Sequence, residues 1–147
     1  MAVEIPDEIP PDCTVYRPIP KENIKPNGTP MSSCFSDKAA EDGSSYYMSV
    51  YFSDEMERAG KSVLDLQQAW GSKYIVLAFS AGELREQGER LWRDSMGEFP
   101  GHGACKRADG AERTQGQKRN LAKIARIPPE LTKETTATNG RDLPPPQ

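Results

Sequence analysis

YIVLAF, residues 74–79, decides the fold, because it is a continuous apolar run of strand length. Such a run is typical of a strand buried on both faces, so we expect it to be the central strand that anchors a sheet. A second strand is predicted at YYMSVYF (46–52), where Met, Val and Phe alternate with more polar residues. A third is predicted at CTVYRPI (13–19), and its prolines place it near a sheet edge or at the end of the strand.

Weaker strand patterns and three capped helices complete the core. Further strands are possible at MSSCFS (31–36), RLWRD (90–94) and HGACKR (102–107), and DKAAEDGSS (37–45) has the composition of a polar loop. The predicted helices start after Ser62, Ser80 and Thr114 and end at Gly71, Gly88 and Pro128. The predicted class is therefore α+β, with a mixed sheet and about three helices.

The chain of 147 residues suits a single small domain with a segment at each end. Residues 1–12 predict an extended arm, acidic and rich in proline, and residues 128–147 predict a flexible tail that contains proline. The compact domain is expected over residues 13–127. No apolar run reaches the roughly 18 residues of a membrane span, and the first residues do not resemble a signal peptide. We therefore expect a cytoplasmic protein without membrane contact.

Charge is unevenly distributed along the chain. The net charge is −3, from 19 basic and 22 acidic residues. Residues 1–60 carry five basic and eleven acidic side chains, whereas residues 101–127 carry seven basic and two acidic ones. The basic segment 106–126 predicts binding to an anionic partner, such as a nucleic-acid backbone. Alternatively, the acidic and basic halves face one another in the fold.

Two residues are candidates for catalysis. His102, the only histidine, lies between two glycines and could transfer a proton. Arg17, on the first strand, could clamp a phosphate or carboxylate, with the hydroxyls of Ser33 and Ser49 nearby. A first-strand arginine followed by a serine resembles the ADP-ribosyltransferase arrangement, but no glutamate motif completes it. Alternatively, His102 bonds to a carbonyl and Arg17 pairs with an acidic residue.

The three cysteines are widely spaced, which disfavours a disulfide framework and indicates reduced thiols. Cys13, Cys34 and Cys105 could join His102 in a zinc site, but they lack the two close pairs that structural zinc sites present. We therefore expect packed thiols, no metal and no other cofactor.

A loop between Gly110 and Gly116 precedes basic residues at a helix start, an arrangement that favours anions. The spacing differs from a Walker loop, so the prediction is a general anion site. Its candidate residues are Arg113, Lys118, Arg119 and Lys123. The alternative is a solvated helix face.

TVYRPI, SSCFS, MSVYF, KYIVLAF, GHGA and NLAKIA occur in this order over about residues 13–127. This layout resembles small uncharacterised bacterial α+β proteins in which a strand with arginine opens the fold and a strand with histidine precedes the last helix. The resemblance implies a compact bacterial domain and no particular reaction.

The scarcity of catalytic motifs favours a non-enzymatic accessory module. We expect it to dock through its sheet edge and its uneven charge onto a larger bacterial protein or nucleoprotein assembly. Two alternatives remain open. One is a small nucleotide- or NAD-directed transferase or hydrolase that uses Arg17 and His102, and the other is nucleic-acid backbone binding by residues 106–126.

Overall fold

The computed structural model describes residues 9–36, 38–39, 46–93 and 99–131, so most of the predicted 37–45 loop lies outside the described residues. The first eight residues of the predicted arm and residues 132–147 of the predicted tail also lie outside them. The strands and helices, in chain order, are β1 (Thr14–Pro20), β2 (Lys38–Ala39), β3 (Tyr46–Phe52), α1 (Ser53–Arg58), α2 (Val63–Trp70), β4 (Tyr74–Ser80), α3 (Ala81–Glu86), β5 (Glu89–Arg93), β6 (His102–Arg107) and α4 (Gln115–Ile124). These elements form a single α+β domain, which confirms the predicted class.

One sheet in the order β4-β1-β3-β6-β5 organises the described residues, with β2 paired to β3. All of these pairings are antiparallel, so the prediction of a mixed sheet was wrong. The helix α3 explains the difference. It contacts both β4 and β5, and thus crosses from one edge of the sheet to the other. The two strands that α3 joins, β4 and β5, run in the same direction, but they are not neighbours in the sheet and so form no parallel pair.

β4 is an edge strand, so the expectation that it lies at the centre of the sheet was wrong. Its side chains are nevertheless buried on both faces. Its outer edge is also occupied, because the amides of Tyr74, Val76, Ala78 and Ser80 all donate to acceptors beyond the sheet. The Gln67 side chain bonds both Val76 N and Tyr74 O, as a neighbouring strand would. A covered edge therefore gives β4 the composition of a central strand.

β1 lies between β4 and β3, so the edge position that its prolines suggested was wrong, whereas the alternative was right in that Pro20 is the last residue of the strand. Hydrogen bonds at both ends, from Lys21 N to Lys73 O and from Ala81 N to Cys13 O, show that odd-numbered residues of β1 bond to β4. The nitrogens of Pro18 and Pro20 therefore face β3. Pairing with β3 is confined to residues 15 and 16, because Pro18 has no N–H for the next bond.

The helices α2, α3 and α4 confirm the three predicted caps. Each has a capping box, for example Ser62 with Asp65 at the start of α2. The strands predicted at 90–94 and 102–107 are present as β5 and β6. A strand at 31–36 was wrongly predicted, since Ser32–Phe35 forms a 3-10 turn, and α1 was not foreseen.

The sheet has two different faces. The covered face carries Val15, Arg17, Val50, Phe79 and Cys105 and packs against α3, α4 and the 3-10 turn. On the opposite face, α1 packs over β1 and β3, and α2 packs over β4. Both ends of the described chain join this body, because Ile9 is buried on the covered face and Leu131 on the opposite one. The packed chain thus begins before residue 13 and continues past residue 127.

Candidate functional site

Arg17 projects from β1 into the covered face. Its Nε donates to the carbonyl of Cys34 and its Nη1 to the carbonyl of Ser49, each at 2.9 Å. In the register of β1 and β3, Ser49 is the residue opposite Pro18. The guanidinium therefore supplies the hydrogen bond that the proline cannot donate. Burial lowers the pKa of Arg17 to about 10, so the group is still charged at neutral pH.

A buried ion cluster lies on the same face, centred on Glu89, whose side chain has no exposed surface. Arg113 binds this carboxylate through Nε and Nη2, and Arg107 Nη1 lies 3.0 Å from Oε2. Cys105 donates its thiol to Oε1 at 3.3 Å. Burial raises the pKa of Glu89, while the hydrogen bond from Arg107 lowers it. Each group is satisfied by another within the cluster, which indicates a structural role.

His102 lies on the opposite face of the sheet from Arg17. Its ring packs edge-on against Tyr51, with 5.4 Å between the ring centroids. Arg17 and His102 therefore do not line one pocket. Ser33 is exposed in the 3-10 turn, and Ser49 meets Arg17 only through its carbonyl oxygen. The four candidate catalytic residues are thus distributed over two faces.

All three cysteines are buried free thiols, as expected. Cys105 belongs to the ion cluster, and burial raises its pKa well above the ordinary value. Burial also raises the pKa of Cys34. Within the described ranges, no three His, Cys, Asp or Glu side chains come together as metal ligands, so the zinc combination of Cys13, Cys34, His102 and Cys105 is not formed.

The predicted anion site is divided by the fold. Arg113 is buried with Glu89, whereas Arg119 and Lys123 are exposed on α4 and Lys118 is partly exposed. At the start of α4, Thr114 and Gln117 bond to each other's backbone amides. The basic segment is also partly neutralised within the domain, because Arg107, Arg113 and Arg126 pair with carboxylates. These carboxylates belong to residues 83 and 89, outside the acidic segment 1–60.

Sequence reasoning missed a surface that we call the open face. It is the part of the second sheet face formed by Tyr47 and Ser49 of β3, Ala104 and Lys106 of β6, and Arg90 and Trp92 of β5. Arg90 is exposed, and all the others except Trp92 are partly exposed. Of the helices on this side of the sheet, α1 contacts β1 and β3, and α2 contacts β4.

The register places the open face in two rows across the sheet. Tyr47, Lys106 and Arg90 form one row, and Ser49, Ala104 and Trp92 form the next. Lys106 Nζ lies 4.3 Å from the centroid of the Trp92 ring. Within the described residues, the buried Trp92 Nε1 atom has no hydrogen-bond partner. The second row thus places the small side chains of Ser49 and Ala104 beside Trp92.

Alternation in β5 and β6 was the signal that could have revealed this surface. In Arg90-Leu-Trp92 and Ala104-Cys-Lys106, every second residue belongs to the open face and the residue between them is fully buried. The sequences of these two segments do not show that β5 pairs with β6, or that β6 pairs with β3. The grouping therefore depends on strand order, which composition does not determine.

The outer edge of β5 is the other exposed feature of this region. The bond from Ala108 N to Gly88 O shows that even-numbered residues of β5 bond to β6. The amides and carbonyls of residues 89, 91 and 93 therefore point outward. In the part of the chain that the structure describes, no strand pairs with this edge.

No family model, curated protein or solved structure matches this chain, so the resemblance to small bacterial proteins stays a prediction. Among the described residues, no helix combines the length and apolar character needed to cross a membrane.

Proposed function

We propose that this chain is a non-enzymatic accessory module of a bacterial nucleoprotein assembly, and that it docks by binding single-stranded nucleic acid on the open face. The observation that carries this proposal is the row of Tyr47, Lys106 and Arg90 beside Trp92. Aromatic rings on an exposed sheet surface stack bases, and neighbouring cations bind the phosphates.

Arg90 supplies an exposed charge on the open face, and Lys106, which is partly exposed, lies over the Trp92 ring. By contrast, the cations of the covered face are occupied by Glu89 and by backbone carbonyls. A phosphate chain that follows the first row would meet two cations next to a tyrosine ring.

Catalysis is not needed for this role, and the geometry gives the enzyme alternative little support. The hypothesis requires Arg17 and His102 to act on one substrate, yet they lie on opposite faces of the sheet. Arg17 also has a structural partner at Ser49 that the sequence alone could not reveal.

The exposed cations of α4 offer a second possible surface for nucleic acid. Lys118, Arg119 and Lys123 belong to a helix that packs on the covered face, so they lie across the sheet from Lys106. The described residues place no tryptophan or tyrosine on α4. Base stacking therefore favours the open face, and variants on the two sides can distinguish them.

The test is fluorescence anisotropy with labelled oligo-dT and oligo-U over a series of salt concentrations. The Arg90→Ala/Lys106→Ala variant removes two cations of the open face, and Lys118→Ala/Arg119→Ala is the matched control on α4. We expect the first variant to bind more weakly and to make the slope of log K against log salt less negative by about 1.4. The control should bind like the parent chain.

Stacking is tested separately at Tyr47. Tyr47→Ala should weaken binding, whereas Tyr47→Phe, which keeps the ring, should restore it. Absence of binding at low salt would overturn the proposal, and so would equal losses in both double variants. A native partner that is captured after nuclease treatment, and is released by the open-face variant, would identify a protein as the ligand instead.

A further inference from the structure

A cavity of about 500 Å³ lies between α2, the start of β4 and the residue that follows β1. We call it the α2 cavity. Its volume is within the range of small-molecule sites, about 300–1,000 Å³. The described residues that line it do not include any residue of the open face, so it is a separate place in the molecule.

Three aliphatic side chains form the apolar wall of the α2 cavity: Leu64, Ile75 and Leu131. Leu64 is 39% exposed, although the same helix buries Val63 and Leu66. Ile75 is partly buried, and Leu131 is buried. An exposed leucine beside these two residues presents apolar surface to water, and an alkyl chain that covered this surface would gain free energy.

The wall is held in place by the Gln67 side chain, which also lines the cavity. Its Nε2 donates to the carbonyls of Tyr74 and Gly71, at 2.7 and 3.2 Å. Its Oε1 accepts from the amide of Val76 at 3.1 Å. The polar atoms of this side chain are therefore satisfied by the backbone. A wall fixed in this way lowers the entropic cost of binding a ligand.

Lys21 supplies a positive charge to the α2 cavity. It is exposed, and the ion pairs among the described residues are formed by arginines and do not involve it. Its backbone amide donates to the carbonyl of Lys73, another exposed lysine, at 2.9 Å. No acidic residue is among the described residues that line the cavity. The charge of the lining is therefore complementary to an anion.

We infer that the α2 cavity binds a medium-chain monocarboxylate. The alkyl chain lies against Leu64, Ile75 and Leu131, and the carboxylate lies beside the ammonium of Lys21. Aliphatic walls favour a saturated chain, and one lysine in the lining matches one negative charge. This site does not depend on nucleic-acid binding, so it goes beyond the proposed function.

Isothermal titration calorimetry with decanoate, below the concentration at which it forms micelles, tests the site. We expect saturable binding of one decanoate per chain, and about tenfold weaker binding of octanoate, because two fewer methylenes are buried. Lys21→Gln removes the charge and should weaken decanoate binding about threefold, while binding of decanol stays unchanged. The matched control is Lys25→Gln, at an exposed lysine outside the lining, which should bind like the parent chain.

A second pair of variants tests the apolar wall. Leu64→Asp places a carboxylate in this wall and should abolish decanoate binding, because the ligand would have to cover a charge. Ala69→Asp adds the same charge at an exposed position of α2 outside the lining, and should bind like the parent chain. Circular dichroism checks that both variants are folded.

Nuclear magnetic resonance of labelled methyl groups locates the ligand on the unmodified chain. Decanoate should shift the methyl signals of Leu64, Ile75 and Leu131. The inference would be overturned by an absence of saturable binding, by equal binding of the two aspartate variants, or by decanol binding as tightly as decanoate. Oligonucleotide binding by Leu64→Asp would show that the proposed function stands without this site.

Discussion

The two faces of the sheet differ in what surrounds their polar side chains, and β6 shows this over two adjacent residues. Cys105 is fully buried on the covered face and bonds to Glu89. Lys106, the next residue, is partly exposed on the open face and lies over Trp92. On the covered face Glu89 pairs with Arg107 and Arg113, whereas on the open face the Arg90 side chain is exposed to solvent. The location of a charge in the sheet, and not its place in a basic segment, thus determines its role.

The largest effect is expected from Glu89→Ala. Removing this carboxylate leaves Arg113 buried without its ionic partner, which should lower the free energy of unfolding by about 3–5 kcal/mol. Urea denaturation measures the loss. The control is Arg126→Ala, which breaks the ion pair between Arg126 and Glu83. The side chains of this pair are 50% and 41% exposed, respectively. This control should cost less than about 1 kcal/mol. Equal losses in both variants would mean that the cluster is not the buried centre of the covered face.

Gly103→Ala tests how closely β6 packs against its two neighbouring strands, β3 and β5. A Cβ at this position would collide with the Phe52 ring and with the carbonyl of Trp92. We expect a loss of about 1–3 kcal/mol in unfolding free energy, because the backbone atom cannot move aside. Gly116→Ala in α4 is the control, since its Cβ would meet only Thr114 Oγ1, at 3.9 Å. A helix gains from alanine, so the control should be neutral or stabilising.

Tyr16 links stability to pH on the face covered by α1 and α2. Burial, followed by the nearby charges of Glu130 and Glu57, raises the pKa of Tyr16 to about 12. The unfolded chain ionises near pH 10, so stabilisation is complete below that pH and is lost as the pH rises toward 12. Between pH 8 and pH 11, the parent chain should lose about 1.4 kcal/mol more than Tyr16→Phe. Parallel pH profiles of the two proteins would contradict this expectation.

The smallest effect is expected from Lys106→Ala. Lys106 is partly exposed and its ammonium lies over the Trp92 ring, so the unfolding free energy should change by only about 0.5 kcal/mol. Arg113→Ala, in the same basic segment, is the comparison and should cost several times more, because it removes the fully buried cation that pairs with Glu89. If Lys106→Ala destabilised the domain as strongly, the open face would be part of the structural core.

Local signals predicted most of the elements, but not their neighbours. Ser62, Ser80 and Thr114 identified the helix starts because a capping box is a contact between residues close in sequence. β4 was misplaced because Gln67 and residue 126 cover its edge from distant parts of the chain. The candidate site was missed for the same reason, since Tyr47, Lys106 and Arg90 become neighbours only through strand order.

The Arg17 side chain replaces the backbone donor that Pro18 lacks, so the residues at positions 17 and 18 depend on each other. A chain with alanine at position 18 would regain a backbone amide opposite Ser49. The Ser49 carbonyl would then no longer need the hydrogen bond from the Arg17 guanidinium. Lysine at position 17 could not bridge both carbonyls, because it has no planar fork. Substitution of Arg17 should therefore be tolerated only in a chain that has already lost Pro18.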